Sequence, residues 1–197
     1  MVKQQIKNIE IVSLNYDNCI ELACKKNSIS LKTGIEEWSK DGKISSSFDG
    51  LFLIKLHGSI NWKLKDNELT EKRPLISQAI EKLSDELLMN DNYRPALIFG
   101  QKNKLTAKGP FLELFRLFQE KIEQAELLTV IGYSFRDEHI NEVISNWINY
   151  KSSRKIRIIN GKSFNENEVN FTNQLLRLKD RLEVIKEDAS DGIKQLY

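Results

Sequence analysis

The second half of the chain limits the fold most. Leu127–Ile131 is a near-continuous apolar run, the pattern of a central parallel strand covered on both faces. Gly132, Tyr133, Ser134 and Phe135 lead out of it, and Asp137 is placed to cap a helix whose apolar stripe is Ile140, Val143, Ile144, Trp147 and Ile148. Lys155–Ile159 reads as a further strand leaving at Asn160-Gly161, Phe164–Leu178 as a helix, and Leu182–Ile185 as a last strand. Strand and helix alternating through short links call for a doubly wound parallel sheet with right-handed crossovers. The fold class is therefore α/β and Rossmann-like, with helices on both faces of the sheet.

The first half adds elements of less regular spacing. Ile9–Leu14 is a partly alternating strand, Asn15-Tyr16-Asp17 a turn, and Cys19–Lys26 a short helix. Ser28–Ser47 is polar with isolated apolar residues and is expected to be irregular, with at most one short strand. Gly50–Leu56 is a second strand, and a short third covers Ile60–Leu64. Pro74–Met89 carries Leu75, Ile76, Ala79, Ile80, Leu83 and Leu87 at helical spacing, with proline in the first turn. Pro95–Phe99 is a short strand, and Pro110 opens an amphipathic helix with Phe111, Leu114, Phe115, Phe118 and Ile122 on one stripe. The expectation is one domain over 1–197, with a small helical insertion over 63–95.

Composition excludes several classes. A net charge of +2 over 197 residues points to no extended nucleic-acid or membrane surface. No apolar run is long enough to span a bilayer, and Met1-Val2-Lys3-Gln4-Gln5 lacks the apolar core of a signal peptide, so a cytoplasmic protein is the default. The two cysteines, Cys19 and Cys24, sit five residues apart on one expected helix. That geometry is poor for a disulfide, and both are expected as buried or half-buried free thiols. Trp38, Trp62 and Trp147 are expected in the core, and the Lys102, Lys104 and Lys108 cluster in a solvated loop.

Small or polar groups gather at four strand exits: Asn15-Tyr16-Asp17, His57-Gly58-Ser59, Gly132-Tyr133-Ser134 and Asn160-Gly161. Open α/β sheets bind ligands in the crevice outside the carboxyl ends of their strands. Exits are also polar because chains turn there. His57 can be a strand-end histidine satisfied by backbone, Asn15 a turn former and Asp17 a helix cap. His139, in a first helical turn, is expected as a solvated or capping residue.

Four motifs carry a family resemblance. S-L-N-Y-D at 13–17, K-L-H-G-S-I-N-W at 55–62, I-G-Y-S-F-R-D-E-H-I-N at 131–141 and I-I-N-G at 158–161 resemble the motif series of the sirtuin-like domain family. They are most similar to its bacterial branch of antiphage-defence proteins that hydrolyse NAD. The resemblance implies NAD as substrate, cleaved to nicotinamide and ADP-ribose. It implies that His57 acts as general base on the ribose hydroxyls and that Asn15 orients water or ribose. It puts Asp17 at the nicotinamide carboxamide, Gly132 and Ser134 at the adenosine side and phosphate, and Asn160 at the adenine ribose. Gly58, beside His57, is counted with the binding positions.

The sequence departs from the family twice. The expected opening strand and glycine turn of the G-A-G-x-S kind is missing, since the first glycine is Gly34. Either the chain is a fragment, or the turn has been lost, or a partner completes the sheet, whether an upstream segment or another copy in a homo-oligomer. Without the turn, a non-catalytic module that binds NAD or ADP-ribose, or serves assembly, stands beside the hydrolase. The sirtuin deacylases also carry a four-cysteine zinc module, whereas Gly58–Gly132 contains no cysteine. Zinc is not expected, and the NAD-hydrolysing branch is favoured over protein deacylation.

Overall fold

The computed structural model describes residues 9–45, 49–66, 78–84, 95–97 and 109–196. The chain divides into two compact units, Met1–Phe118 and Gln119–Tyr197. The fold is α/β, with parallel sheets and several helices.

The first unit opens with β1 (Ile9–Ser13), α1 (Cys19–Lys26), β2 (Leu31–Lys32), α2 (Ile35–Asp41) and β3 (Leu51–Lys55). The strands form a parallel sheet in the order β1-β3-β2. All five residues of β3 are buried, as its apolar L-F-L-I run requires of a strand with neighbours on both sides. Leu51 and Leu53 pack with Cys24 of α1, and Ile11, Ile20, Ile29 and Leu31 close around them. The expected thiols divide: Cys24 is buried, whereas Cys19, at the start of α1, is exposed. α2 lies in the segment expected to be irregular. Glycines in left-handed conformation bracket it, Gly34 at φ 76° and Gly42 at φ 68°.

A second, antiparallel sheet follows, built from β4 (Gly58–Asp66), β5 (Gln78–Lys82) and β6 (Pro95–Leu97) in the order β5-β4-β6. This corrects the helical reading of Pro74–Met89 and of the insertion over 63–95. Among the described residues of that span, 78–82 are strand, paired with β4 from Trp62↔Lys82 to Asp66↔Gln78. A short apolar run at helical spacing fits either structure, and tertiary partners decide. Here β4 binds one edge of β5. On the other, Ser39 of α2 takes both backbone groups of Ile80, its Oγ accepting from the amide at 3.0 Å and donating to the carbonyl at 2.7 Å. Residues 74–77 and 85–89 of that stretch, Ile98 and Phe99 of the expected strand at Pro95–Phe99, and the Lys102–Lys108 loop lie outside the described residues.

α3 (Pro110–Gln124) ends the first unit and begins the second. It buries Phe111, Leu114, Leu117, Phe118 and Ile122; Phe115 of the expected stripe is only half-buried. The second unit continues with β7 (Leu127–Ile131), α4 (Glu138–Tyr150), β8 (Lys155–Asn160), α5 (Asn170–Leu175), a 3-10 turn (Leu176–Arg181), β9 (Leu182–Lys186) and α6 (Ala189–Lys194). Its sheet is parallel, in the order β7-β8-β9. β8 holds the centre, with Ile156, Ile158 and Ile159 buried. β7, expected to be central, is an edge of this sheet among the described residues, and its Leu127 and Ile131 are exposed.

α4 buries Ile140, Ile144, Trp147 and Ile148, and the Trp147 indole donates to the Ala125 carbonyl at 3.0 Å. Trp62 is also fully buried and Trp38 half-buried. The helix expected from Phe164 begins only at Asn170. Before it, Asn165 turns the chain locally, its Oδ1 accepting from the Asn167 amide at 3.1 Å, a side-chain bond that competes with helix formation.

Candidate functional site

In the first unit, Ser13 of β1 stands opposite Lys55 of β3 in parallel register, so both strands leave the sheet at one edge. That register brings Asn15, Asp17 and His57 to neighbouring exits. Backbone bonds fasten them: the Leu56 amide donates to the Ser13 carbonyl at 3.1 Å, and the Ile60 amide to the Tyr16 carbonyl at 2.9 Å.

His57 is half-buried, with Nδ1 3.2 Å from the Leu14 carbonyl oxygen. A carbonyl only accepts, so in the neutral ring Nδ1 carries the proton and the lone pair lies on Nε2. The Tyr16 ring lies beside the imidazole, centroids 6.1 Å apart. Asn15 is exposed, and its backbone N–H donates to Ser13 Oγ at 3.2 Å.

Asp17 is exposed, and its Oδ1 accepts from the Cys19 amide at 2.9 Å, at the amino end of α1. Hydrogen bonds from Cys19, first its backbone and then its thiol, hold the Asp17 carboxyl below the ordinary carboxylate range. Seen from the thiol, the same contact pushes Cys19 up.

Gly58 is fixed by sterics. Its φ is +88°, and a Cβ there would lie 2.0 Å from the Ala96 carbonyl oxygen of β6. Only glycine allows β6 to approach so closely behind the histidine.

Beneath these exits lies a polar cluster that motif reading passes over. The Lys55 side chain is 1% exposed. Its ammonium donates to the Asp17 carbonyl, to Glu21 Oε1 at 3.0 Å and to Ser59 Oγ at 2.7 Å. Ser59 donates in turn to Oδ1 of the buried Asn18 at 2.9 Å. The one available sequence signal is a lysine closing an otherwise apolar strand, since a buried charge needs partners.

In the second unit, Gly132, Ser134 and Asn160 lie at the exits of β7 and β8. The Gly132 amide donates to the Ile159 carbonyl at 3.0 Å. Asn160 joins the two exits: its Nδ2 donates to the Tyr133 carbonyl at 3.0 Å, and its Oδ1 accepts from the Gly161 amide at 3.1 Å. Gly132 has φ +64°, and among the described residues no heavy atom other than those of its chain neighbours lies within 4 Å of where its Cβ would be. A bound group could therefore approach the main chain there, and Ser134 beside it is exposed.

Behind this turn, the Tyr133 hydroxyl accepts from the Asp137 amide and reaches Asn141 Oδ1, each at 3.2 Å. Burial, then the Asp137 carboxylate, pushes the phenol up, so it stays neutral. Asn141 Nδ2 donates to the carbonyl of Phe135, a residue at φ +56°. Asp137 caps α4 as expected, its Oδ1 accepting from the His139 amide at 3.2 Å.

A family model for the SIR2-like domain matches residues 9–177. The chain belongs to this family. The match runs from the first residue of β1 into the 3-10 turn, so it takes in every strand exit described above. SIR2-like domains in general use NAD as substrate, which fits an NAD-related function for this one. No curated protein matches the chain. Among the described residues of this SIR2-like domain, no three His, Cys, Asp or Glu side chains are grouped to hold a metal ion. No described helix is long and apolar enough to cross a membrane.

Proposed function

We propose that this SIR2-like domain hydrolyses NAD to nicotinamide and ADP-ribose, and that it does so in bacterial antiphage defence. The observation that carries the reading is the His57 ring, with Nδ1 bonded to the Leu14 carbonyl at the sheet edge it shares with Asn15 and Asp17. A ring held in that tautomer offers Nε2 as a base.

The reaction breaks the bond between the nicotinamide nitrogen and ribose C1′. The bonding pair leaves with nicotinamide, which is neutral once free and needs little acid catalysis. Positive charge builds on the sugar in an oxocarbenium-like state. A water oxygen then bonds to C1′ and gives up a proton.

His57 takes the proton, from the ribose hydroxyl side or from water. Asn15, whose amide both donates and accepts, orients water or ribose. Asp17, kept ionised by the Cys19 bonds, faces the carboxamide, which presents N–H donors. Gly132 and Ser134 take the adenosine side and phosphate, Asn160 the adenine ribose, and Gly58 is a binding position through its main chain beside the histidine. These assignments draw on the motif resemblance together with the open space at Gly132.

The test is nicotinamide release from NAD by the wild type, His57→Ala and Asn15→Ala. Release that falls in both variants supports hydrolysis; equal release by all three ends the assignment. Calorimetry that finds binding without release supports the alternative, a module that holds NAD or ADP-ribose.

A further inference from the structure

We propose that Lys55 is a positioning residue, holding the Asn15–Asp17 turn in register with the His57 turn; as a role in catalysis this rests on the NAD-hydrolysing reading above. Lys55 ends β3 two residues before His57, and its side chain is 1% exposed. Its three partners come from three places: the Asp17 carbonyl in the turn after β1, the Glu21 carboxylate in the first turn of α1, and the Ser59 hydroxyl in β4. Ser59 extends the link to Asn18 Oδ1 at 2.9 Å.

An ammonium has three donors, and each is used on a different element. The same turn supplies the Leu14 carbonyl that receives His57 Nδ1. Displacing the turn therefore disturbs both Asn15 and the tautomer of the histidine. An apolar side chain of equal length would fill the volume as well, so packing alone does not explain a charge here.

The experiment compares full-length wild type, Lys55→Met and Lys55→Arg by imidazole nitrogen NMR and by kinetics of nicotinamide release. Wild-type His57 is expected to carry its neutral-form proton on Nδ1. Lys55→Met is expected to mix the tautomers and to lower kcat by about 10-fold or more with a smaller change in KM, as misplacement rather than lost binding requires. Lys55→Arg keeps the charge and is expected to recover part of both. His57 shifts and kcat at wild-type values in Lys55→Met overturn the proposal.

Should Lys55→Met not fold, Glu21→Ala and Ser59→Ala each remove one partner. Both should move the His57 signals in the direction of mixed tautomers; wild-type signals in both overturn the proposal. If the wild type releases no nicotinamide, the hydrolase reading fails, and the NMR comparison still decides whether Lys55 sets the histidine.

Discussion

Asn160 Nδ2 donates to the carbonyl of Tyr133 at 3.0 Å, tying the exit of the central strand β8 to the exit of β7. Its Oδ1 also holds the Gly161 amide. Asn160→Ala removes both bonds and should cost about 1–2 kcal/mol, measured as a lower midpoint in urea. Asn160→Asp keeps the acceptor for Gly161 and should fall between the two. If Asn160 also serves the adenine ribose, the alanine variant should raise KM for NAD more than it lowers kcat.

Gly58 carries a sharp steric constraint in the first unit. A methyl group would meet the Ala96 carbonyl oxygen at 2.0 Å, at a φ of +88°. Gly58→Ala should destabilise the protein by about 2 kcal/mol or more, read from its thermal midpoint. A variant as stable as wild type would mean that β6 does not lie against this turn.

Asp137 caps α4 through the His139 amide. Asp137→Ala should lose about 1 kcal/mol, and Asp137→Asn, with its acceptor kept, should lose less. The comparison is made by denaturant titration at neutral pH.

The helices that sequence reading finds are those marked by apolar periodicity or by a capping residue. α1 has the expected bounds, and α4 starts directly after Asp137. α2 is hidden because I-E-E-W-S-K-D offers one turn of apolar residues and depends on the αL glycines at its ends. β5 is hidden for the opposite reason: its spacing suits a helix, and the bonds that make it a strand come, among the described residues, from β4 and Ser39. At the candidate site, the residues at strand exits are legible because turns and motifs mark them. The Lys55–Glu21–Ser59–Asn18 cluster is not, since its members are spread over α1, β3 and β4 and meet only in three dimensions.

Acid should weaken the turn after β1. The Cys19 hydrogen bonds lower the folded-state pKa of Asp17. A depressed carboxyl stabilises the fold fully above its unfolded value, and loses that contribution as pH falls through the folded value. Asp17→Asn should therefore be slightly less stable than wild type at neutral pH, with the difference closing below the ordinary carboxylate range. Thermal midpoints of the two proteins across an acid series measure it; a gap that stays constant with pH would mean the carboxylate is not held in this way.

The most direct measurement for the proposed chemistry is the turnover number for nicotinamide release from NAD by the wild type and by His57→Ala. A general base contributes about 10²–10⁴-fold, so hydrolysis through His57 predicts at least a 10²-fold fall, with ADP-ribose formed in step with nicotinamide by the wild type. Equal turnover by the two proteins would contradict it.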